Sequence, residues 1–275
     1  MVEFFAPPQL EKETFQKYKE LIYEKAGITL SNEKTEFLKG RIYKRLRRLG
    51  INNFEDYFKH ITNPGNVDEF TEFLNVISTN VTHFFRENQH FDFLKNEVIP
   101  KFLDQPEINI WSAGCSNGAE PYSLSITFME YFIGKAKKPH INIYACDLSH
   151  DVLHDAILGV YDEEILRNVP ENLLKKYFKT GVNEMKGKYK VQEILRKSVK
   201  FYQHNLLNPF QVGVKFDIVF CRNVMIYFDN TVKTQVVRNI FNVLKEGGYF
   251  FTGHSESMIG LANKRPVAPS VYLND

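Results

Sequence analysis

The chain has 275 residues, 43% of them hydrophobic, and a formal net charge of +2 at pH 7. This length and composition suffice for one large domain plus a small one with an ample core, and they exclude a disordered chain. A near-neutral chain does not coat nucleic acid indiscriminately, so any basic binding surface has to be local. No apolar run reaches the roughly 18 residues that a membrane helix needs. The first residues also lack a signal-peptide pattern, so we expect a cytoplasmic protein without membrane insertion.

The cysteines and the histidine-containing loop near the carboxyl end do not have the spacing of metal ligands. Cys115, Cys146 and Cys221 are odd in number and far apart in the sequence, which suits reduced thiols in a reducing compartment. His254 and Glu256 form no metal set by themselves, and hydrogen bonding within a loop is the simpler role. We therefore expect no metal.

Residues 1–78 show helical periodicity only. Apolar residues recur at helical spacing from Phe15 onward, and this first helix is predicted to end at Gly27. Ser31 is predicted to cap a second helix that ends at Gly50. Two further amphipathic stretches follow, so we interpret residues 1–78 as a small helical domain and residues 79–90 as a linker to the rest of the chain.

From Phe91 to the end, short apolar runs alternate with helical stretches. The runs predicted to be strands of the main sheet are residues 108–112, 141–146, 216–221 and 249–252. Such alternation is typical of a parallel sheet with helices on both faces, so we predict an α/β domain over residues 91–275. Residues 187–192 and 199–203 alternate apolar with polar side chains. We interpret them as part of a small antiparallel insertion at about residues 163–203.

The first predicted strand runs into a glycine-containing loop. Gly114 and Gly118 follow this strand, and Pro121 then opens a helix. Glycine lets the backbone approach a ligand closely, and the start of a helix directs free N–H groups toward it. The pattern predicts a nucleotide-cofactor loop, although a tight turn of an α/β fold gives the same pattern.

Ligands of doubly wound sheets bind outside the carboxyl ends of the strands. The residues expected at that edge are Ala113, Gly114, Cys115, Asp147, Asn205, Leu206, Arg222, Asn223 and Tyr227. Asp147 ends the second strand, where an acidic residue accepts both ribose hydroxyls, but it is equally suited to cap the next helix. Glu120 also suits the first turn of a helix, where a carboxylate complements the helix dipole.

The second predicted helix is strongly basic. Leu38, Ile42, Leu46 and Leu49 form its predicted buried stripe. A charged helix face is either simply solvated or a docking surface for an acidic partner. The positive side chains on this helix are Lys39, Arg41, Lys44, Arg45, Arg47 and Arg48.

Four segments of the chain together resemble one protein family. They are TNVTHFFRE (residues 79–87), WSAGCSNGAEPYSL (111–124), FDIVFCRNVMIYFD (216–229) and GGYFFTGHSE (247–256). In this order they closely resemble the CheR-type chemotaxis receptor methyltransferases, and the resemblance covers nearly the whole chain. It implies a small all-α N-terminal domain, then a Rossmann-like methyltransferase domain with an antiparallel β-subdomain insertion.

The resemblance also implies an activity and a partner. Enzymes of this family transfer a methyl group from S-adenosyl-L-methionine to glutamate side chains on the cytoplasmic helices of chemoreceptors, and S-adenosyl-L-homocysteine is the second product. Arg41, Lys44, Arg45 and Arg48 would then dock on an acidic receptor helix. The β-subdomain docks a receptor tail peptide in some members. We expect a monomer that does not bind nucleic acid.

Site residues are carried over by matched position. Arg86 would bind the cofactor's carboxylate or orient the acceptor, and Tyr227 would face the reacting methyl group, although core packing also explains a tyrosine there. One departure is Ala119, where the family usually has a second acidic residue. The implied cofactor contacts come from Asn80, Thr82, Arg86, Ala113, Gly114, Glu120, Asp147, Asn205, Leu206, Arg222 and Asn223.

Rival functions remain open at this point. A nicotinamide dehydrogenase shares the strand, loop and helix, but no hydride-transfer residues are evident. A methyltransferase of the same fold that acts on another protein or on nucleic acid would also explain the basic helix. The third strand ends in Cys221, Arg222 and Asn223 rather than in the acidic-Pro-Pro-aromatic motif that is frequent in nucleic-acid methyltransferases. A non-catalytic scaffold would not need the matched cofactor residues.

Overall fold

The structure is a computed structural model that describes residues 8–78, 81–256 and 264–275. The described residues form two compact units. The first contains the described residues up to position 78 together with 227–229, and the second contains the remainder. Within the described residues, no helix is both long and apolar enough to cross a membrane. Asn80, one of the predicted cofactor contacts, lies outside the described residues.

The first unit is entirely helical, as predicted. Gly27 and Gly50 have φ values of 71° and 68° and end the first two helices in the left-handed conformation. The predicted cap at Ser31 is wrong, because Ser31 precedes a 3₁₀ turn (Asn32–Lys34) and makes no capping side-chain hydrogen bond. The helices are α1 (Lys12–Ala26), α2 (Thr35–Leu49), α3 (Phe54–Thr62) and α4 (Val67–Ile77).

One apolar core joins these four helices. Tyr18 and Phe73 are fully buried at its centre, with ring centroids 5.7 Å apart. The Tyr18 hydroxyl donates to the Phe54 carbonyl at 2.7 Å, so its only polar atom is satisfied. Residues of α1 and α2 that the helical period predicted to be buried, such as Ile22 and Ile42, are indeed buried. Leu49 is 40% exposed, so the predicted stripe of α2 ends before it.

Arg45 is buried rather than exposed, which corrects its prediction as a docking residue. Its guanidinium makes a two-point ion pair with Glu69 on α4, with N···O distances of 2.6 and 3.0 Å, and it reaches Glu72 at 2.8 Å. The Tyr57 hydroxyl donates to the same Glu69 at 2.7 Å. Burial by itself would raise the pKa of Glu69, but the donors from Arg45 and Tyr57 hold it below its ordinary value. Arg45 therefore fastens α2 to α4.

We expect Arg45→Met to destabilise the helical unit by about 3 kcal/mol, because it leaves the half-buried Glu69 carboxylate without its cation. Arg48→Met is the matched control, since Arg48 is exposed on the same helix and should change stability by less than about 0.5 kcal/mol. Hydrogen exchange of α2 and α4 amides in the full chain measures both. Equal protection in the two variants would contradict the structural role of Arg45.

The second unit is built on a seven-stranded sheet with the order β6-β2-β1-β7-β8-β10-β9. The strands β6, β2, β1, β7 and β8 are parallel, and β10 and β9 add an antiparallel edge. The sheet strands are β1 (Glu107–Ala113), β2 (His140–Asp147), β6 (Val199–Gln203), β7 (Phe216–Cys221), β8 (Leu244–Thr252), β9 (Arg265–Ala268) and β10 (Val271–Asn274). Its helices are α5 (Gln89–Phe93), α6 (Ala119–Tyr131), α7 (His150–Leu158), α8 (Glu171–Tyr177), α9 (Glu193–Arg196) and α10 (Asn230–Val243).

A small antiparallel sheet accompanies the main one, with the order β3-β5-β4. Its strands are β3 (Val160–Asp162), β4 (Phe178–Thr180) and β5 (Lys188–Val191). The prediction that residues 199–203 belong to this insertion is wrong, because β6 pairs in parallel with β2 at the edge of the main sheet. Alternating side chains are expected of any strand with one exposed face, and the pattern does not specify the partner strand or its direction.

The strand order creates a switch point between β1 and β7. From β1 the chain continues to β2 and β6 on one side of the sheet, and from β7 it continues to β8 on the other. Loops that leave the carboxyl ends of β1 and β7 therefore diverge and open a crevice between them. This architecture confirms the predicted all-α domain followed by a Rossmann-like domain, and it locates the expected ligand site.

Candidate functional site

The glycine loop after β1 is shaped by contacts with neighbouring segments. Gly114 and Gly118 have φ values of 79° and 86°, which other residues rarely adopt. A Cβ on Gly114 would lie 2.4 Å from the Val224 side chain, and one on Gly118 would lie 2.8 Å from Ala156. Both glycines are thus required by close packing. Gly114 also draws the loop after β1 against the loop after β7.

Asp147 ends β2 and is 9% exposed. Its two carboxylate oxygens accept the backbone N–H groups of Ser116 at 2.8 Å and Ser149 at 3.0 Å. Burial raises the pKa of Asp147, and these backbone donors oppose the rise. The Ser149 side chain is the one that caps α7, by accepting the Val152 N–H. Asp147 is therefore not the helix cap, and its remaining lone pairs can accept further hydroxyl donors.

Asn205 and Leu206 follow the edge strand β6. Gln203 pairs with Asp147, and the His204 N–H donates to the Asp147 carbonyl at 2.9 Å. The two predicted residues thus leave the sheet beside Asp147, at the carboxyl edge. Leu206 is 9% exposed. Asn205 and Leu206 therefore lie at the predicted edge of the sheet. They lie there because β6 belongs to the main sheet, which the sequence analysis did not predict.

Arg222 follows β7 and is deeply buried at this edge, with a side chain only 2% exposed. Its guanidinium donates to Glu87 at 3.1 Å and lies 3.5 Å from Glu120. It also donates to the backbone carbonyl of Arg86. The rings of Phe91 and Phe220 lie 5.5 and 5.8 Å from the guanidinium carbon. Arg222 therefore holds other site residues in place.

Glu120 lies in the first turn of α6, beside the end of β1. It accepts the Ser112 hydroxyl at 2.7 Å while its other oxygen faces Arg222. Burial raises the pKa of Glu120, and the positive charge of Arg222 and the Ser112 hydrogen bond only partly offset this. A cationic ligand beside this carboxylate would favour its ionised form further. Ala119, the departure from the family pattern, is fully buried in the core.

The segment around Arg86, predicted to be a linker that contributes to the cofactor site, packs into the core of the second unit through Phe84 and Phe85. Phe84 is fully buried, and its N–H donates to the Ile165 carbonyl at 3.0 Å. Arg86 is half-buried and donates to the Val81 carbonyl at 2.8 Å. Thr82, four residues before Arg86, is also half-buried.

The residues on either side of Arg86, Phe85 and Glu87, both have positive φ, at 52° and 54°. Such backbone persists only where the surroundings enforce it.

Asn223 connects this segment to the loop after β8. Its side chain donates to Glu87 at 3.1 Å, and its N–H donates to Glu256 at 2.8 Å. The Glu256 carboxylate also accepts the N–H groups of Gly253 at 2.6 Å and Ile226 at 3.2 Å. Glu256 is 5% exposed. It therefore fixes the backbone that follows β7, in agreement with the predicted loop role.

Glu87, His90 and His254 bring one potential metal-ligand atom each to within 4.8 Å of one another. Burial, together with the nearby positive charge of Arg222, lowers the pKa of His90 to about 4. The same guanidinium pairs with Glu87. A cation at this point would face Arg222 at close range, so the cluster is better explained by the Arg222–Glu87 ion pair than as a metal site.

Tyr227 ends a 3₁₀ turn (Met225–Tyr227) that follows β7. Its carbonyl accepts the Thr29 N–H at 2.8 Å, and Phe228 forms a β-bridge with Ile28. Residues 227–229 thus group with the helical unit. The role of the Tyr227 ring at the reacting methyl group stays a prediction.

Sequence reasoning missed Glu87 as a site residue and considered Glu256 only as a loop residue. Both stand inside the segments that carry the family resemblance, and both are acidic residues next to predicted site residues. Their partners lie more than 30 positions away in the sequence, on Arg222 and Asn223. The sequence signal that could have identified Glu87 and Glu256 as site residues was the presence of an acidic residue next to predicted site residues.

The fold, the glycine loop and the acidic residue ending β2 define a nucleotide-cofactor-binding domain of the doubly wound class. Residues 80–272 match the CheR methyltransferase SAM-binding domain, and residues 13–78 match the CheR methyltransferase all-alpha domain. The chain belongs to the CheR methyltransferase family. It is an enzyme that uses S-adenosylmethionine as methyl donor.

Named relatives match along almost the full chain. A chemotaxis protein methyltransferase of Borreliella burgdorferi is 36% identical over 96% of this chain and 94% of its own length. Chemotaxis protein methyltransferase 2 of Pseudomonas aeruginosa is 38% identical over 95% of this chain and 92% of its own. The chemotaxis protein methyltransferase of Escherichia coli is 36% identical, with coverage of 91% and 86%.

The residues at the carboxyl edge fit this cofactor. Asp147 retains acceptor capacity for ribose hydroxyls, and the buried Glu120 carboxylate lacks full compensation for its charge. S-adenosylmethionine carries both a ribose and positive charge. The loop at Gly114 leaves no room for a larger side chain. Which of the predicted residues contact the cofactor stays a prediction.

We expect Gly114→Ala to weaken S-adenosylmethionine binding about 5- to 150-fold, because the added Cβ overlaps Val224 and strains the left-handed backbone by about 1–3 kcal/mol. Gly134→Ala is the control: its φ is also positive, 72°, but a Cβ there meets nothing within 4 Å. Calorimetric titration of both folded variants gives the comparison. Equal cofactor affinities would show that the loop tolerates the displacement.

Proposed function

We propose that the enzyme transfers the methyl group of S-adenosylmethionine to glutamate side chains of chemoreceptor cytoplasmic domains, forming methyl esters during chemotaxis adaptation. The observation that carries this proposal is that both CheR domains occur in one chain, with all-alpha residues 13–78 preceding the SAM-binding residues 80–272. The names of the relatives support the link to chemotaxis. Because the acceptor glutamates are cytoplasmic in this proposal, the enzyme acts in the cytoplasm.

The acceptor's chemistry sets modest demands on the protein. A glutamate carboxylate with an ordinary pKa near 4.3 is ionised at pH 7, so methyl transfer to it needs no general base. S-adenosylmethionine supplies an electrophilic methyl group when bound. The protein has to align acceptor and methyl group and exclude water, and such positioning can supply on the order of 7 to 11 kcal/mol.

Within this proposal four of the predicted site residues have distinct tasks. Asp147 accepts the ribose hydroxyls, and Glu120 offsets the cofactor's positive charge. Arg86 binds the cofactor's carboxylate, because a tight guanidinium contact to the attacking oxygen would also stabilise the ground state and blunt its nucleophilicity. Tyr227 orients the acceptor through its hydroxyl.

The bond that is formed provides the direct test. With radiolabelled S-adenosylmethionine and purified receptor cytoplasmic fragments, we expect label in the receptor that mild alkali releases as volatile methanol, because a carboxyl methyl ester hydrolyses readily. Methyl groups on nitrogen or on nucleic-acid bases resist this treatment.

The same labelling reaction with total RNA and with DNA is the parallel arm. Alkali-stable label in protein, recovered as methyl-lysine, would overturn the carboxyl acceptor. Label in nucleic acid at a rate above that with receptor would favour the alternative methyltransferase function.

The helical unit offers a smaller docking surface than the sequence suggested. Lys44 and Arg48 are exposed one turn apart on α2. Arg41 lies on the same helix face but is half-buried, with its guanidinium 5.0 Å from the Phe37 ring and donating to the Val76 carbonyl at 3.1 Å. Arg45 is excluded by its buried ion pair. We propose that Lys44 and Arg48, flanked by Arg41, contact an acidic receptor helix.

We expect Lys44→Glu combined with Arg48→Glu to slow receptor methylation about tenfold at low salt while S-adenosylmethionine affinity stays unchanged, since charge complementarity mainly raises the encounter rate. The wild-type rate should fall toward the variant's as salt shortens the screening length below about 8 Å.

The matched control is Lys12→Glu combined with Lys59→Glu, which makes the same change in net charge at exposed positions of α1 and α3. If this control slowed methylation as much as the α2 variant, the effect would come from overall charge. If the variant with Lys44→Glu and Arg48→Glu methylated the receptor as fast as wild type, the proposed docking surface on α2 would be contradicted.

A further inference from the structure

A cavity of about 500 Å³ lies beside the small antiparallel sheet, and no glycine-loop residue is among those that line it. Its rim carries Lys179 and Lys190 from the small sheet and Arg196 and Lys197 from α9 and the residue after it. Tyr122 and Phe201, from α6 and β6, are among the residues that line it. Cavities of roughly 300–1,000 Å³ are the size that small ligands occupy.

Lys179 and Lys190 are directly opposite each other in the β4–β5 pair. Opposite residues of an antiparallel pair project from the same face of the sheet, and both of these line the cavity. Two like charges in this arrangement destabilise the pairing. An anion between them would remove this cost, so the pair is a first indication of an anionic ligand.

Arg196 provides an independent indication. Its Nε is buried and has no hydrogen-bond partner among the described residues. A buried donor without a partner is costly, and an anionic acceptor in the cavity would satisfy it.

The charges around the cavity do not balance. Glu193 is the one acidic residue in the lining, and it pairs with Lys197 at 2.7 Å. Four cations against one carboxylate leave a formal charge of +3. This excess exceeds what a single carboxylate ligand would neutralise and suits a phosphorylated group.

The inner wall of the cavity is largely apolar. Tyr122 is fully buried, its hydroxyl is engaged by the Ala156 carbonyl at 2.8 Å, and its ring lies 5.8 Å from that of Phe201. Val191, Val199 and Ile157 complete this wall. An apolar wall opposite a basic rim matches a molecule with a ring at one end and phosphate at the other.

We propose that this cavity binds a phosphorylated, ring-bearing small molecule of nucleotide size, at a site separate from the cofactor loop. The cavity's limited volume favours a small molecule over an acidic peptide, which would have to extend beyond it. The phosphates contact Lys179, Lys190 and Arg196, and the ring packs against Phe201 and Ile157, which are the accessible apolar side chains of the lining.

The test uses the full chain saturated with S-adenosylhomocysteine, so that the cofactor site is filled and cannot bind the probe. Calorimetric titration with guanosine 5′-diphosphate should give one site per chain. Inorganic pyrophosphate should bind more weakly because it lacks the ring, and guanosine should bind most weakly because it lacks the charge.

Lys190→Glu should weaken guanosine diphosphate binding by about 10- to 100-fold, since it replaces a charge-assisted contact with a repulsive one. Lys186→Glu is the control, because Lys186 is an exposed residue just before β5 that does not line the cavity. Lys190→Glu also removes the like-charge pair, so its thermal midpoint without ligand should not fall. If that variant nevertheless misfolds, Arg196→Met gives the same comparison.

The absence of guanosine diphosphate binding at millimolar concentration would overturn the proposal. Equal weakening by Lys190→Glu and Lys186→Glu would also overturn it, because the affinity would then follow overall charge. Tighter binding of a short poly-glutamate peptide than of guanosine diphosphate, lost in Lys190→Glu, would replace the small-molecule assignment with a peptide site.

Discussion

The buried guanidinium of Arg222 is the interaction on which the arrangement of the cofactor site depends. It joins three segments that are remote in the sequence: the Phe85–Glu87 turn, the start of α6 at Glu120, and the end of β7. A guanidinium with two carboxylate neighbours at 2% exposure cannot be replaced by lysine, because only the planar fork reaches several acceptors at once. Arg222 therefore connects residues 84–87 with residues 220–223 in space. A residue predicted to contact the cofactor is first of all the residue that positions the others.

Backbone strain is concentrated around the same charge network. Among the described residues, six that are not glycine have positive φ, and four of them lie at the site: Phe85, Glu87, Ser116 and Asn223. Ser116 is held by Asp147, and Asn223 by Glu256. In each of these two cases a buried carboxylate accepts the backbone N–H of the strained residue. The carboxylates thus stabilise backbone conformations that Ser116 and Asn223 would rarely adopt without these hydrogen bonds.

How far the sequence predicted this structure depended on the range of the interactions involved. Local signals sufficed for the glycine ends of α1 and α2, and for the order of glycine loop, acidic strand end and polar loop after β7. The sequence did not predict features that depend on a partner far away along the chain. Arg45 looked exposed within a basic helix, because its partners Glu69 and Glu72 lie on another helix 24 and 27 positions away. The alternation in β6 was recognised, but its pairing with β2 was not, since the sequence of a strand does not specify its neighbour.

The acidic residues of the site bear on the chemistry in a consistent way. Asp147 and Glu256 each accept two or more backbone N–H groups, Glu87 accepts Arg222 and Asn223, and Glu120 accepts Ser112. Each of the four already has protein donors that fix its position. A general base needs a carboxylate or imidazole that is free to accept a proton from the substrate. These carboxylates instead hold loops in place. That arrangement suits an acceptor that arrives already ionised, as a glutamate side chain does at neutral pH.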